Sequence, residues 1–563
     1  MKKLLLLTTF ILILFISCKK DNIKINNDVT LYYNGNIITL EDELYANAIE
    51  ISNGIISKVY YNDEEFSNIL KEKKINIIDL KGKTLMPSFI DSHSHLINFA
   101  KSLSTVNLTG STNILEIETK LSNYIVKSKL NLDAWVIGFG YDNNLLPNKK
   151  NPTRDDLDKI STTHPILITH ASGHVGSMNS KALEYFGVDE NTPDIAGGFI
   201  ERYPDSRKPT GYMEENAYFN YVHKLNFKLS DEDLMNFINQ AEDVYLSYGI
   251  TTAQEALISI PDFSIIKNMI TNHRFNIDVI GFVDLKTSSS LLKKNKELVG
   301  NYSNRFKING YKIFLDGSPQ AKTAWLLEPY KTGDANYRGY PIYRDSDVVN
   351  FINMALDDNV QLQAHCNGDA AANQYLSAFD IVNTQRGITN NYRAVLIHSQ
   401  ISTEEEYARM KRLNIIPSLF VAHVYYWGDT HIENLGMERA SEISASYTAL
   451  TNDLKFTYHQ DSPVINPNML ETIWVAVNRV TKNGVLLGEN QKVTVLDAIK
   501  AVTINAAYQN GEENIKGSLI EGKLADLLIL DKNPLEVAPM KIKDIKILET
   551  IKEGKTLYKN DSI

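Results

Sequence analysis

The stretch MPSFIDSHSHL, Met86 to Leu96, is an apolar run that ends in two histidines one residue apart. Side chains at i and i+2 of a strand point to one side, so His93 and His95 can aim two imidazoles at one cation. An H-x-H pair alone is weak, and a surface pair would explain it as well. Other runs end in the same way: His365 closes VQLQAHC, His398 lies at the end of AVLIHSQ, and Asp461 at the end of KFTYHQDSPV. Each taken singly could be a packed core residue, but the set together is a poor coincidence. Lys312 lies inside a further apolar run, INGYKIFLDG. A lysine buried there can shed its proton and take up carbon dioxide, giving a carbamate whose oxygens bridge two cations. It can equally pair with Asp316, four residues on.

Eight apolar strand candidates run through the middle of the chain: MPSFIDSHSH, GITTAQEA, FNIDVIGFVD, INGYKIFLDG, VQLQAHC, AVLIHSQ, IIPSLFVAHV and KFTYHQDSPV. Helical segments such as DVVNFINMALDDN and TEEEYARMKRLN separate most of them. Eight β units with helical crossovers predict an α/β fold, a distorted TIM (β/α)8 barrel, with chemistry at the C-terminal strand ends. His95 and Gly249 are about 150 residues apart, too far for a loop. The span carries its own strands and helices (AWVIGFGYD, PILITHASGHVGSMNSKALEYFG) and is expected to be an inserted α/β subdomain at about 100–245. Both chain ends are β-rich with Asn-Gly and Gly turns. Residues 29–86 and 512–563 are therefore expected to form one small β-sandwich around a barrel at 87–511.

The first residues, MKKLLLLTTFILILFISCKK, stand apart from the fold. Leu4 to Ile16 is apolar over thirteen residues, short of the roughly 20 that a membrane span needs. A basic start, this run and Ser17 before Cys18 resemble a bacterial lipoprotein signal, although Phe15 stands where such signals usually carry Leu. The expectation is a signal at 1–18, lipid on Cys18, a polar tether at 19–28, and a protein exported to the bacterial cell envelope and anchored to a membrane. The rival is an uncleaved anchor.

Composition narrows the rest. The 563 residues are 43% hydrophobic and 22% charged, an ordinary globular balance. A net charge of -10 with scattered basic residues speaks against a nucleic-acid partner. Two cysteines, Cys18 and Cys366, exclude a disulfide scaffold and a thiolate zinc cluster. Any metal is left to histidine, carboxylate or lysine-derived oxygen. Cys366 reads as a small buried apolar residue, and Asp369 as a helix N-cap.

Several stretches together resemble the amidohydrolase superfamily and, within it, the amidohydrolase family 3 branch, which includes N-substituted formamide deformylases. They are MPSFIDSHSHL, WVIGFGYDNN, ASGHVGSMNSKALEYFG, GGFIERYPDSRKPTGYMEENA, YGITTAQEA, YKIFLDGSPQAKTAWLLEPY, AHCNGDAAANQYL, HQDSPV and GSLIEGKLADLLILDKNP. The resemblance covers nearly everything after the tether. It implies a metal site at His93, His95, His365, His398 and Asp461, with one or two divalent ions, zinc being the natural candidate. Lys312 matches the carboxylated lysine of two-metal members. It also implies that His174 touches substrate at the mouth of the site. Trp325 and Tyr330 are candidates for the pocket wall, or for local packing. Many relatives carry Gly-Ser where His459-Gln460 precedes Asp461. His459 then either supports a ligand or contacts substrate, or it is a packed core histidine.

The implied activity is hydrolysis of a non-peptide carbon–nitrogen bond, amide-type, in a small molecule through a metal-bound hydroxide. Asp461 would shuttle the proton, and His398 or His174 would steady the oxyanion. The alternatives are a decarboxylase or isomerase on the same scaffold, or a solute-binding lipoprotein without catalysis. An oligomer is compatible with all of these.

Overall fold

The structure is a computed structural model that describes residues 29–560 apart from 68, 72–74, 226–229, 273–274 and 388–391. The signal-like segment, the tether and Cys18 lie outside the described residues. No helix among the described residues is long and apolar enough to cross a membrane.

Eight parallel strands pair in chain order into one curled sheet. They are β1 (Phe89–Ile90), β2 (Ile250–Ile258), β3 (Asp278–Asp284), β4 (Phe306–Phe314), β5 (Gln361–Cys366), β6 (Val395–His398), β7 (Ile416–Leu419) and β8 (Thr457–Tyr458). Each overlaps one of the eight apolar runs, β2 continuing two residues past its run and β4 beginning two residues before its own. The strands are buried on both faces, which is why they read as continuous apolar runs rather than alternating ones. Helices Asp345–Asp357, Asp369–Arg386 and Glu404–Leu413 follow β4, β5 and β6. The last begins with a reciprocal Thr403–Glu406 capping box and stops at Asn414, whose φ of 54° ends the helix.

The sheet has one seam. Among the described residues no ladder joins β8 to β1. Ser92 Oγ donates to Tyr458 O (3.0 Å), and Asp461 N donates to His93 O (3.2 Å). Gln509 ties both sides, donating to Ser92 O (2.8 Å) and accepting from Thr457 Oγ1 (2.7 Å). On the opposite side of the mouth, Gly368 has no room for a side chain: a Cβ there would lie 1.8 Å from Trp325 O. The loop after β4 and the start of the helix after β5 therefore touch through backbone.

The two chain ends build one eight-stranded sheet. Strand Leu527–Leu530, from the C-terminal part, pairs antiparallel with Thr84–Pro87, from the N-terminal part. Its apolar face gathers Ile49, Ile51, Leu85, Leu519, Leu527 and Ile551. The region after Leu103 forms a separate six-stranded mixed sheet, from Val106 to Glu214, followed by helix Glu215–Val222. Helix Asp231–Ser247 does not belong to that insertion, although the sequence boundary takes it in. Its Leu234, Ile238, Ala241 and Tyr245 join the barrel core with Leu96 and Ile250. The reason is its apolar stripe, which matches the back of β2.

Asp278 pins the end sheet to the barrel. It opens β3 and accepts from Lys516 (2.6 Å), Lys552 (2.6 Å) and Arg305 (3.0 Å), all of them largely buried. Burial alone would raise its carboxyl, but the two ammonium groups outweigh that and hold it well below the ordinary range. Asp278→Ala leaves buried cations unpaired and is expected to cost about 3–5 kcal/mol. Denaturant unfolding should show this as an earlier first transition. Because the native carboxyl is depressed, its contribution is present above the unfolded value of about 4 and is lost as pH falls below it.

Candidate metal centre

His93 and His95 lie beyond the two-residue ladder of β1, in a short extension rather than in the strand. His95 is held there by its backbone N donating to Ser462 O (2.9 Å) and by an isolated bridge to Glu255. Asp461 likewise stands beyond β8, at a φ of 53°, a left-handed conformation that an aspartate tolerates at a cost. Across the seam the three side chains meet. Asp461 Oδ1 is 3.3 Å from the Nε2 atoms of both His93 and His95. Their nearest ligand atoms all lie within 4.8 Å of one another.

Lys312, on β4, is fully buried, with Nζ 3.4 Å from His93 Nε2. The alternative pairing with Asp316 is absent. Asp316 is committed elsewhere, accepting from the backbone N of Gly368 (2.7 Å), Asn367 (2.9 Å) and Trp325 (3.0 Å), and bonding His365 Nδ1 (3.2 Å). Burial pulls the Lys312 ammonium down to about 7. A neutral amine is therefore available at neutral pH.

His398 ends β6 at a φ of 74°, with Nε2 3.9 Å from Asp461 Oδ2. His365, one residue before the end of β5, lies beside it, ring centroids 4.5 Å apart. Its Nδ1 is held by Asp316, and Asn367 Nδ2 sits 3.3 Å from its Nε2. Thus His93, His95 and Asp461 form the tight group, Lys312 adjoins it, and His365 and His398 form a neighbouring pair. Burial lowers the basicity of His93, His365 and His398 well below the ordinary imidazole value, helped by Lys312 beside His93, His174 beside His365 and His365 beside His398. The rings stay neutral and keep a lone pair. Burial would raise Asp461, but the His93 and His95 imidazoles outweigh it and keep the carboxylate ionised.

This donor set fits a divalent ion. The ligand types are imidazole nitrogen and carboxylate oxygen. Asp461 Oδ1 is a buried anionic oxygen without a well-formed hydrogen bond among the described residues, an expensive state that a cation relieves.

The insertion supplies the roof. His174 precedes the strand Val175–Met178, and its Nδ1 is 2.8 Å from Glu215 Oε2. Its ring lies 4.9 Å from that of His365. Burial would lower the His174 imidazole, but the Glu215 carboxylate outweighs this and raises it. Glu215 is fully buried with a φ of 47°, held in place to orient His174. The sequence reading passed over Glu215 and Asp316 as functional residues; the paired acids in GYMEENA were the available signal for the first.

Other candidates fall outside the pocket. His459 is fully buried beneath the histidines, bonded to His398 Nδ1 (3.1 Å) and Ser418 Oγ (2.9 Å). It supports a site histidine and does not reach the cavity, so it is not a substrate contact. Tyr330 is buried too, donating to Ala324 O (2.9 Å) and stacking on Tyr337, because the turn after β4 folds it inward. Trp325 meets the site through its backbone N on Asp316. Cys366 is buried. Gly368 rather than Asp369 holds the N-cap position, and Asp369, the first helical residue, accepts through Oδ1 from Leu327 N (2.8 Å) and from Ala370 N in the first turn (2.9 Å). The cavity itself is lined by His174, His365, His398 and Asp461 on one part and by Phe420 and His423 on another.

A family model described as amidohydrolase family matches residues 76–558. N-substituted formamide deformylase of Arthrobacter pascens is 26% identical over 534 residues, 91% of this chain and 95% of that protein. Protein LONG AFTER FAR-RED 3 of Arabidopsis thaliana is 28% identical over 541 residues, 94% of this chain and 91% of that protein. Among solved structures, an uncharacterized metal-dependent hydrolase from Pyrococcus horikoshii superposes with a TM-score of 0.72 at 25% identity, covering 91% of this chain and 99% of that one. Imidazoles and a carboxylate converging at the open seam of a curled parallel sheet, under a family match of that extent, lead to one conclusion: the chain belongs to the amidohydrolase family, metal-dependent hydrolases acting on carbon–nitrogen bonds.

Proposed function

We propose that the protein hydrolyses a non-peptide, amide-type carbon–nitrogen bond in a small molecule. The observation that carries this reading is the group of His93, His95 and Asp461 at the seam, with Lys312 against it. His93, His95, Asp461 and a carboxylated Lys312 would hold one ion, and His365 and His398 would add ligands for a second. Zinc suits a histidine-rich set completed by oxygen. When bound, a divalent ion lowers the pKa of a coordinated water toward about 7 and polarises a carbonyl.

The chain's own residues do the rest. Asp461, kept ionised, accepts the proton of the attacking water and returns it to the leaving nitrogen. His174, made more basic by Glu215, donates to the carbonyl oxygen as negative charge develops there. Phe420 and Val464 line the cavity beside them and exclude bulk water. The products are an amine and an acid. The printed name of the Arthrobacter relative makes substituted formamides a reasonable start for a substrate panel.

Two further parts of the proposal concern Lys312 and Cys18. The neutral Lys312 Nζ adds to the carbon of carbon dioxide; a nitrogen–carbon bond forms as one carbon–oxygen π pair moves onto oxygen, and one N–H proton leaves to water, giving the carbamate anion. Lipid on Cys18 would anchor the protein in a bacterial cell envelope.

His93→Asn is expected to lose bound metal on elemental analysis and at least about 100-fold of turnover on an amide panel; full activity with the variant sinks the reading. Zinc-loaded wild type equilibrated with 13C-bicarbonate should show a carbamate resonance that Lys312→Met lacks. A metal-loaded protein without that resonance rules the carbamate out. Cells fed a labelled fatty acid should label the wild type and leave Cys18→Ala unlabelled; equal labelling would refute the anchor.

A further inference from the structure

The excursion after β7 contains a second histidine pair that the proposed chemistry does not use. His423, Trp427 and His431 are spaced four residues apart across two short helices, His423–Tyr426 and Gly428–Leu435, with Trp427 at the non-helical joint between them, and their side chains meet. His423 Nδ1 lies 3.0 Å from His431 Nε2, and the two rings are stacked, interplanar angle 10°. His431 is fully buried, and His423 is 3% exposed and lines the cavity over the metal ligands. Phe420 stands between His423 and the ligand cluster: its ring is 4.6 Å from that of His423 and 6.1 Å from that of His398.

The pair is held from outside. Trp427 packs on His423 with ring centroids 4.6 Å apart, and its Nε1 donates to Asp142 Oδ2 (3.0 Å). Asp142 belongs to the inserted sheet's GYDNN turn and lies 3.5 Å from His170 Nε2. The insertion thus braces this wall of the cavity.

The proton positions follow from elimination. Burial keeps both rings neutral, so each carries one N–H. If His423 donated to His431, the His431 proton would sit on Nδ1, which is buried with no partner among the described residues. A buried N–H without an acceptor is the rarer and costlier orphan. In the other arrangement His431 Nε2–H donates to His423 Nδ1, and only a lone pair on His431 is left over. His423 then carries its proton on Nε2, which, unlike His431 Nδ1, is not among the sealed unpartnered atoms and belongs to a residue lining the cavity, where a ligand can supply the acceptor. Elsewhere in the same cavity Ser318 Oγ and Gln320 Oε1 are also buried without partners.

We infer that His423 is a specificity-determining residue whose Nε2–H binds a second acceptor oxygen of the substrate, one aromatic ring away from the scissile amide. The substrate class is then an amide with a further carbonyl or similar oxygen a few atoms from the reacting carbon, and not a simple alkyl amide. This rests on the hydrolytic reading for its substrate, but the tautomer does not.

The test has two arms. With 15N-histidine labelling of the zinc-loaded protein, the resonances lost in His423→Gln should be those of a neutral Nε2–H tautomer. A Nδ1–H tautomer overturns the inference whether or not the enzyme turns over any amide. In the second arm N-acetylglycinamide is compared with N-propylacetamide, which lacks the second carbonyl. The His423 Nε2 resonance should shift with the first probe and stay in place with the second; shifts alike for both overturn the inference. Where both are hydrolysed, His423→Leu should raise KM for N-acetylglycinamide about 10–100-fold, leave N-propylacetamide and the zinc content within about threefold, and be rescued in part by His423→Gln, which keeps a donor near the same place. Equal losses on both probes would show a merely structural role. A wild type that binds N-acetylglycinamide at His423 without cleaving it would refute the hydrolytic reading and leave the recognition role standing.

Discussion

Asp461 holds together both the fold and the site. The parallel sheet pairs strand by strand from β1 to β8, and among the described residues no ladder closes the join between first and last. Asp461 spans that join twice, through its backbone N on His93 O and through its carboxylate against His93 and His95. A carboxylate buried among imidazoles has no cheap solution except protons or a cation. The chemistry therefore sits where the barrel would otherwise gape. The backbone strain of the site lies in the same place, with left-handed conformations at His398, Ser399 and Asp461.

Around that join the protein keeps its titratable groups in states they would not hold in water. Burial makes the histidines poor bases and brings Lys312 down to about 7. The same burial would neutralise acids, and Asp316 is indeed pushed up to about 8. It still accepts three backbone N–H groups and faces His365, so its work is to position the ring and the loops after β4 and β5. Asp461 escapes that fate because two imidazoles face it.

The parallel sheet and the insertion contribute different walls of the cavity. The parallel sheet supplies the ligand cluster from strand ends. The inserted sheet supplies His174 and Glu215 above it and, through Asp142, steadies Trp427 and the His423 wall. The sheet from the two chain ends packs on the barrel core, through Met86, Leu528 and Leu530. It is fastened below the barrel by Asp278 and its lysines, and its contribution is to close the bottom of the core.

Much of the frame was legible in the residues. Continuous apolar runs announce strands buried on both faces, and histidines at the ends of several such runs announce a shared mouth, because parallel strands in register must bring their C-terminal ends together. What the spacing could not carry was distance across the fold. Whether Lys312 meets Asp316 or His93 depended on where the backbone N–H groups of Asn367 and Gly368 fall, 51 and 52 residues from Asp316 in sequence. His459 could be read as core or as site, and proved to be a buried support for His398. Tyr330 and Trp325 could be pocket wall or local packing, and the turn after β4 decides for packing, folding the tyrosine inward while the tryptophan meets Asp316 through its backbone. Glu215 shows in the sequence only as one of two paired acids in GYMEENA, and His423 carries no local pattern, since one matters through a left-handed turn beneath the roof and the other through a partner eight residues on. The sequence by itself determined which residue types line up at strand ends, because periodicity and burial are local properties. Which of them share a proton, a cation or a cavity was decided only by tertiary structure, because those energies depend on ångström distances between segments that the chain brings together last.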